Sequence, residues 1–98
     1  MPFRDWRLGL TDKKLRAAVD ARITRLRLGI FGDSKPVGDG LFELRIDFGP
    51  GYRIYFAVHG EEVILLFGGD KSSQSADIIK AKSALADHRK RVWEKKKD

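Results

Sequence analysis

The chain has 98 residues, an apolar fraction of 42% and a net charge of +6, which fits one small domain over residues 1–98. Because it contains no cysteine, disulfides, thiolate metal sites and cysteine nucleophiles are excluded. No apolar segment approaches the length of a membrane span and no signal-peptide core precedes residue 10, so we expect a cytoplasmic protein with an anionic partner.

Two helices are predicted first. Pro2 to Leu8 is typical of a short helix with proline in its first turn. Thr11 to Leu28 is amphipathic, with Thr11 as its N-cap, and glycines follow it. Its predicted buried face consists of Leu15, Val19, Ile23 and Leu26.

Three strands follow a loop predicted over residues 33–40, which are rich in Gly, Asp and Pro. Apolar alternation predicts strands over 42–48 and 52–59, and a third strand over 62–67 is apolar on both faces. Turns at 49–51 and 60–61 make them an antiparallel meander. Both faces of the third strand are expected to be covered.

Simple hairpin geometry predicts the pairing. It places Asp47 opposite Arg53 and Arg45 opposite Tyr55, while Arg53 faces Gly68 on the third strand. One sheet face is then apolar and packs on helices, and the other carries Arg45, Tyr55 and Arg53.

A last helix is predicted from Gln74 to Trp93, capped by Ser72 or Ser73. The basic tail at about 89–98 is expected to fray. The order of elements predicts an α+β domain in which N-terminal helices pack on an antiparallel sheet, followed by a C-terminal helix.

The charges are distributed unevenly. Residues 29–70 carry three basic and seven acidic side chains, whereas both ends are basic. Of the cations in that acidic segment, Arg45 and Arg53 sit on adjacent predicted strands, where guanidinium groups form a rigid phosphate clamp. Tyr55 beside them would offer a ring on which an RNA base stacks. The alternative is structural: ion pairs of Arg53 with Asp47, and of Arg45 with Glu43 or Asp47.

Other features point less directly to a ligand. Lys71 lies where the last strand gives way to a helix N-terminus, a place that favours anions. His59 and His88 lack the spacing of metal ligands, so neither a metal site nor a cofactor is predicted. The basic run Arg89, Lys90 and Arg91 is either a solvated tail or an attraction for RNA phosphates.

Longer motifs carry a resemblance to a known family. They are Lys35-Pro36-Val37-Gly38, Glu43-Leu44-Arg45, Gly49-Pro50-Gly51-Tyr52-Arg53 and Gly68-Gly69-Asp70-Lys71-Ser72. In this order they resemble the phage-derived, HigB-like addiction module killer branch of the RelE/ParE toxin superfamily.

That resemblance implies a RelE-like toxin of a type II toxin–antitoxin system. Its RelE side cleaves mRNA in the ribosome without a metal, as the RNA 2′-hydroxyl attacks the neighbouring phosphate. The catalytic residues carried over are Arg45, Arg53 and Lys71, with Lys35 in a shared loop as an RNA contact. The implied partners are the ribosome with its mRNA and a helix-turn-helix antitoxin, which forms a hetero-oligomer with the toxin.

Two other functions stay open. A ParE-like toxin would inhibit DNA gyrase without nuclease activity, and a non-toxic module would simply bind nucleic acid.

Overall fold

A computed structural model describes residues 2–97. The elements, in chain order, are α1 (Pro2–Leu8), α2 (Lys13–Arg27), β1 (Ser34–Gly38), β2 (Leu41–Ile46), β3 (Tyr52–His59), β4 (Glu62–Asp70), a 3-10 turn (Lys71–Ser73) and α3 (Gln74–Lys97). The four strands form one antiparallel sheet in the order β1-β2-β3-β4. The predicted α+β class, with its meander and C-terminal helix, is confirmed. Within residues 2–97 no helix is both long and apolar enough to cross a bilayer.

Helices cover both faces of the sheet. Phe3 of α1 and the predicted face of α2 pack on one face, against Leu44, Ile46, Ile54 and Phe56. On the other face, Ala81 and Leu85 of α3 pack against Leu41, Tyr55, Ala57 and Leu66. Because successive strand side chains point to opposite faces, the alternation in β2 and β3 supplies both cores.

The N-cap of α2 is Asp12, and the prediction of Thr11 is wrong. The Asp12 side chain accepts hydrogen bonds from the backbone N–H groups of Lys14 and Leu15, at 2.9 and 3.1 Å. A carboxylate also complements the positive end of the helix dipole better than a hydroxyl does. The buried positions Leu15, Val19 and Leu26 are as predicted.

The predicted loop over residues 33–40 contains a strand. β1 pairs with β2 from Ser34 to Gly38, with a bulge after Pro36. The connection to β2 is Asp39-Gly40, and both residues have positive φ, 57° and 81°. Such a pair favours a two-residue hairpin turn. The dipeptide Asp39-Gly40 was therefore the sequence signal for β1, although the composition of residues 33–40 is typical of a loop.

The register of β2 and β3 differs from the prediction by two residues. Arg45 lies opposite Arg53, and Glu43 lies opposite Tyr55. The connecting turn is longer than predicted, since Asp47 and Phe48 belong to it rather than to the strand. A shift of two residues keeps each side chain on its face, so the predicted faces survive although the predicted neighbours do not.

The β3–β4 pairing follows the prediction near the hairpin and departs from it at a bulge. Between Tyr55 and Phe56 the register shifts by one residue, so Arg53 lies opposite Gly69 rather than Gly68. Leu66 is the extra residue, and at this bulge Leu66 and Phe67 both lie in the core beside α3.

The last helix is longer than predicted. It continues from Gln74 through the basic segment to Lys97, whereas that segment was expected to fray. Asp98, the end of the predicted tail, lies outside the described residues. A 3-10 turn precedes this helix, and Asp70 caps that turn by accepting from the Ser72 N–H.

Tyr55 is fully buried beneath α3. Its hydroxyl has no hydrogen-bond partner in the described part of the chain. Burial raises the pKa of Tyr55 far above its usual range, and the nearby Glu43 and Asp77 carboxylates raise it further. The prediction that its ring stacks on an RNA base is therefore wrong, because α3 covers that ring.

We expect Tyr55→Phe to preserve the fold and to change its pH dependence. Loss of an unpartnered buried hydroxyl should leave the free energy of unfolding unchanged or raise it by up to about 1 kcal/mol. The pKa of Tyr55 in the folded protein lies above its unfolded value of about 10. The free energy of unfolding of the wild type is therefore fully present below pH ~10 and declines above it, as the unfolded chain loses the Tyr55 proton. Urea unfolding at several alkaline pH values should show that the free energy of unfolding declines less steeply with pH in Tyr55→Phe than in the wild type. Tyr52→Phe is the control. An equal decline in the two variants would contradict this prediction.

We expect Gly68→Ala to destabilise the protein by about 1–3 kcal/mol through overpacking. A Cβ at Gly68 would collide with the ring of Trp6, which packs α1 on β4. Gly9→Ala is the matched control, because its Cβ would meet nothing closer than 3.5 Å. Thermal unfolding should separate the two variants, and equal midpoints would rule out the close contact of Trp6 with β4.

Candidate functional site

An open cavity beside the β2–β3 turn brings together the three cations predicted to be catalytic. Its volume is about 270 Å³. Such a volume suits one small group, such as a phosphate with its sugar, rather than a long ligand. The lining residues are Asp33, Arg45, Ile46, Asp47, Gly49, Pro50, Gly51, Arg53 and Lys71.

The two arginines are fixed by the sheet. Arg45 on β2 and Arg53 on β3 lie directly opposite each other, on the face that α3 covers further along. The backbone of Arg45 is held twice: its N–H donates to the Asp33 carbonyl at 2.9 Å, and its carbonyl accepts from Arg22 Nη1 at 3.0 Å. Their main chains are thus held rigidly before any ligand arrives.

Lys71 reaches the same cavity from the end of β4. Its backbone N–H donates to the Gly51 carbonyl at 3.0 Å, which ties the start of the 3-10 turn to the β2–β3 turn. The Ser72 hydroxyl, with backbone N–H groups, holds the pKa of Asp70 below its usual range. Asp70 therefore stays ionised as the cap that shapes this turn.

A buried carboxylate lies beside the arginines. Glu43 is completely buried, and its Oε1 lies 3.4 Å from Arg45 Nε and 3.5 Å from Arg53 Nε. The predicted contact of Arg45 with Glu43 is confirmed. For Arg53, Glu43 takes the place predicted for Asp47, because the observed register moves Asp47 into the turn.

The two guanidinium groups differ in exposure. The side chain of Arg45 is 38% exposed and that of Arg53 is 12% exposed. Arg53 Nη1 also donates to the Tyr52 carbonyl at 3.2 Å. Arg45 and Lys71 are thus the more accessible cations, and Arg53 forms the inner wall. With Asp33 and Asp47 also in the lining, the cavity carries charges of both signs.

The other predicted RNA contacts lie away from the cavity. Lys35 is exposed on the edge strand β1, opposite Glu43, but does not line the cavity. Arg89 on α3 donates to the Asp39 carbonyl at 2.9 Å and holds the β1–β2 turn. It lies about 22 Å along the helix from Gln74. Lys90 and Arg91 are exposed beside it.

Both histidines line a second, larger cavity of about 510 Å³ between the β3–β4 hairpin and the end of α3. His59 and His88 share it with the apolar side chains of Val58, Ile64 and Val92. In residues 2–97 no three His, Asp or Glu side chains come together as metal ligands would. This cavity is remote from the three cations, because it lies at the opposite end of β3 from Arg53.

Sequence reasoning missed several residues of the site. Gln74, predicted only as the first residue of a helix, donates from Nε2 to Glu43 Oε2 at 2.6 Å. Asp33 reaches the lining through a segment predicted to be a loop. Gly51 has a φ of 91°, and a Cβ there would touch Arg53 Nη1 at 3.5 Å, so glycine lets the turn pass close to the arginine. Its place in a Gly-Pro-Gly turn was the available signal.

Comparison with known proteins places the chain in a family. An uncharacterized protein of Haemophilus influenzae is 52% identical over 83 residues, which cover 84% of each chain. No solved structure matches. The family described as "Phage derived protein Gp49-like (DUF891)" matches residues 8–91, a range that includes every residue of the cation cavity. The chain belongs to this Gp49-like family of phage-derived proteins.

Proposed function

We propose that the protein is the toxin of a type II toxin–antitoxin pair and that it cleaves mRNA on the ribosome. The convergence of Arg45, Arg53 and Lys71 on one open cavity supports this proposal. Membership of a phage-derived family fits a mobile toxin module. The resemblance to HigB-like killer proteins supports it as well, because three of the motifs that carry that resemblance contain Arg45, Arg53 and Lys71.

The proposed reaction needs no nucleophile from the protein. The RNA 2′-hydroxyl oxygen bonds to the adjacent phosphorus, and the bond from phosphorus to the 5′-oxygen breaks. One product then ends in a 2′,3′-cyclic phosphate and the other begins with a 5′-hydroxyl. The enzyme has to orient the RNA, accept the 2′-hydroxyl proton, return a proton to the 5′-oxygen and stabilise the pentavalent phosphorane.

The three cations divide this work. Arginine keeps its proton in proteins, so Arg45 and Arg53 act as hydrogen-bond donors to the phosphorane oxygens. Lysine can exchange a proton, and Lys71 is therefore the proposed proton carrier. Its place at the cavity rim, beside the β2–β3 turn, leaves it accessible to the ribose.

One observation favours a second candidate function. Among the described residues, those that line the cavity include neither histidine nor tyrosine, so its acid–base chemistry depends on one lysine and two aspartates. A toxin that inhibits DNA gyrase would need the basic surface but no proton transfer. In either case we propose a cytoplasmic toxin neutralised by a helix-turn-helix antitoxin.

We expect Lys71→Ala to lower ribosome-dependent mRNA cleavage by about 100-fold or more, because it removes the proton carrier and one phosphate donor. Lys71 is exposed, so the fold should survive. Cleavage of a defined mRNA on purified ribosomes, mapped by primer extension, measures the effect. Lys14→Ala removes the same charge at the exposed start of α2 and serves as the control. Full cleavage by Lys71→Ala would reject this assignment.

Arg53→Ala tests the same site less cleanly. We expect it to abolish growth inhibition, but it also leaves the buried Glu43 carboxylate with one partner fewer, which costs stability. Lys71→Ala is therefore the decisive variant.

Induction in a host without the antitoxin should stop protein synthesis before DNA synthesis. Pulse labelling with an amino acid and with thymidine measures the order. Arrest of DNA synthesis first, together with inhibition of gyrase supercoiling by the purified protein, would replace the nuclease proposal with the gyrase one. Normal growth at full expression would contradict both.

A further inference from the structure

The buried Glu43 carboxylate holds three side chains at once. Its Oε1 lies within ion-pair distance of Arg45 Nε and Arg53 Nε, and its Oε2 accepts from Gln74 Nε2. Glu43 does not line the cation cavity. It therefore touches the groups that would bind phosphate without being placed to touch the phosphate itself.

Two arginines directly opposite each other on a sheet repel, and their long side chains would spread apart. A carboxylate shared by both Nε atoms opposes that repulsion. Arg45 Nε donates a hydrogen bond to Glu43 Oε1, whereas the buried Arg53 Nε makes none and is held near that oxygen by charge. Both contacts are at Nε, so terminal guanidinium nitrogens stay available as donors, apart from the Arg53 Nη1 bond to Tyr52. Glu43 can thus set the distance between the guanidinium groups of Arg45 and Arg53.

The carboxylate is itself anchored. Gln74 is the first residue of α3, and its 2.6 Å bond to Glu43 Oε2 fixes the second carboxylate oxygen. Complete burial leaves Glu43 little room to move, since it packs beneath a helix. The placement of the two arginine side chains therefore depends, through Gln74 and Glu43, on where α3 lies on the sheet.

We propose that Glu43 is a positioning residue, which orients Arg45 and Arg53 for phosphate and is held in place by Gln74. This inference rests on the proposed function for the reaction, but the orientation of the arginines can be measured without any reaction.

Asp77 supplies a matched control. It is a second buried carboxylate, 4% exposed, and it lies in the first turn of α3. Its Oδ2 accepts from the Ser73 hydroxyl at 2.5 Å, so its hydrogen bond stays within the start of the helix. Glu43→Gln and Asp77→Asn make the same chemical change in neighbouring buried sites, but only the first removes an ion-pair partner of the two arginines.

The experiment compares the wild type, Glu43→Gln, Asp77→Asn and Gln74→Leu. Steady-state cleavage on ribosomes gives kcat and KM, and ¹⁵N NMR of the arginine side chains follows the Nε–H signals of Arg45 and Arg53. We expect Glu43→Gln to lower kcat by about 100-fold with KM little changed, because the arginines are misplaced rather than lost. Both Nε–H signals should move. Gln74→Leu should produce a smaller loss of kcat in the same direction, and Asp77→Asn should leave kcat and both signals unchanged.

Three results would overturn the inference: an undiminished kcat in folded Glu43→Gln, an equal loss of kcat in Asp77→Asn, or unmoved Nε–H signals in Glu43→Gln. If Glu43→Gln does not fold, Gln74→Leu decides by the same readouts. If the wild type leaves mRNA intact, the proposed function fails, and the NMR comparison alone decides whether Glu43 positions the arginines.

Discussion

Two adjacent glycines on β4 let helices approach the sheet closely from both of its faces. A Cβ at Gly68 would collide with the Trp6 ring on one face of the sheet, and a Cβ at Gly69 would collide with the Asp77 carboxylate on the other. Consecutive strand residues point to opposite faces, so α1 packs closely over Gly68 on one face and α3 packs closely over Gly69 on the other. Three layers can pack closely there only because neither residue has a side chain.

That close packing also determines the site. Because α3 lies so near the sheet, a single 3-10 turn is enough to connect it to the end of β4. Lys71 is the first residue of that turn, and Gln74 is the first residue of the helix. The short connection therefore places the lysine at the cavity rim and the glutamine against Glu43. Both positions follow from how near α3 lies to the sheet.

Much of the fold could be predicted because periodicity reports which face a side chain occupies. The register was wrong by two residues, yet Arg45 and Arg53 still share a face, since only an odd shift would separate them. Periodicity does not report what covers a face. The burial of Tyr55 follows from the docking of α3, which depends on contacts distant in sequence. β1 was missed for a similar reason. This short edge strand contains Pro36 and is stabilised by its pairing with β2 rather than by the strand propensity of its residues.

The site itself was only half predictable. Isolated cations in an acidic segment singled out Arg45 and Arg53, and Glu43 was predicted as an ion-pair partner of Arg45, but its contact with both arginines was not predicted. Its role depends on burial and on Gln74, 31 residues away. Fixed orientation also explains how a cavity with charges of both signs can serve the proposed reaction. Asp33, Asp47 and the buried Glu43 limit attraction to a ground-state phosphate, while arginines held in place respond to the extra charge of a phosphorane. In the proposed reaction, general attraction to RNA would come from the exposed basic residues of α3, such as Lys90 and Arg91, which do not line the cation cavity.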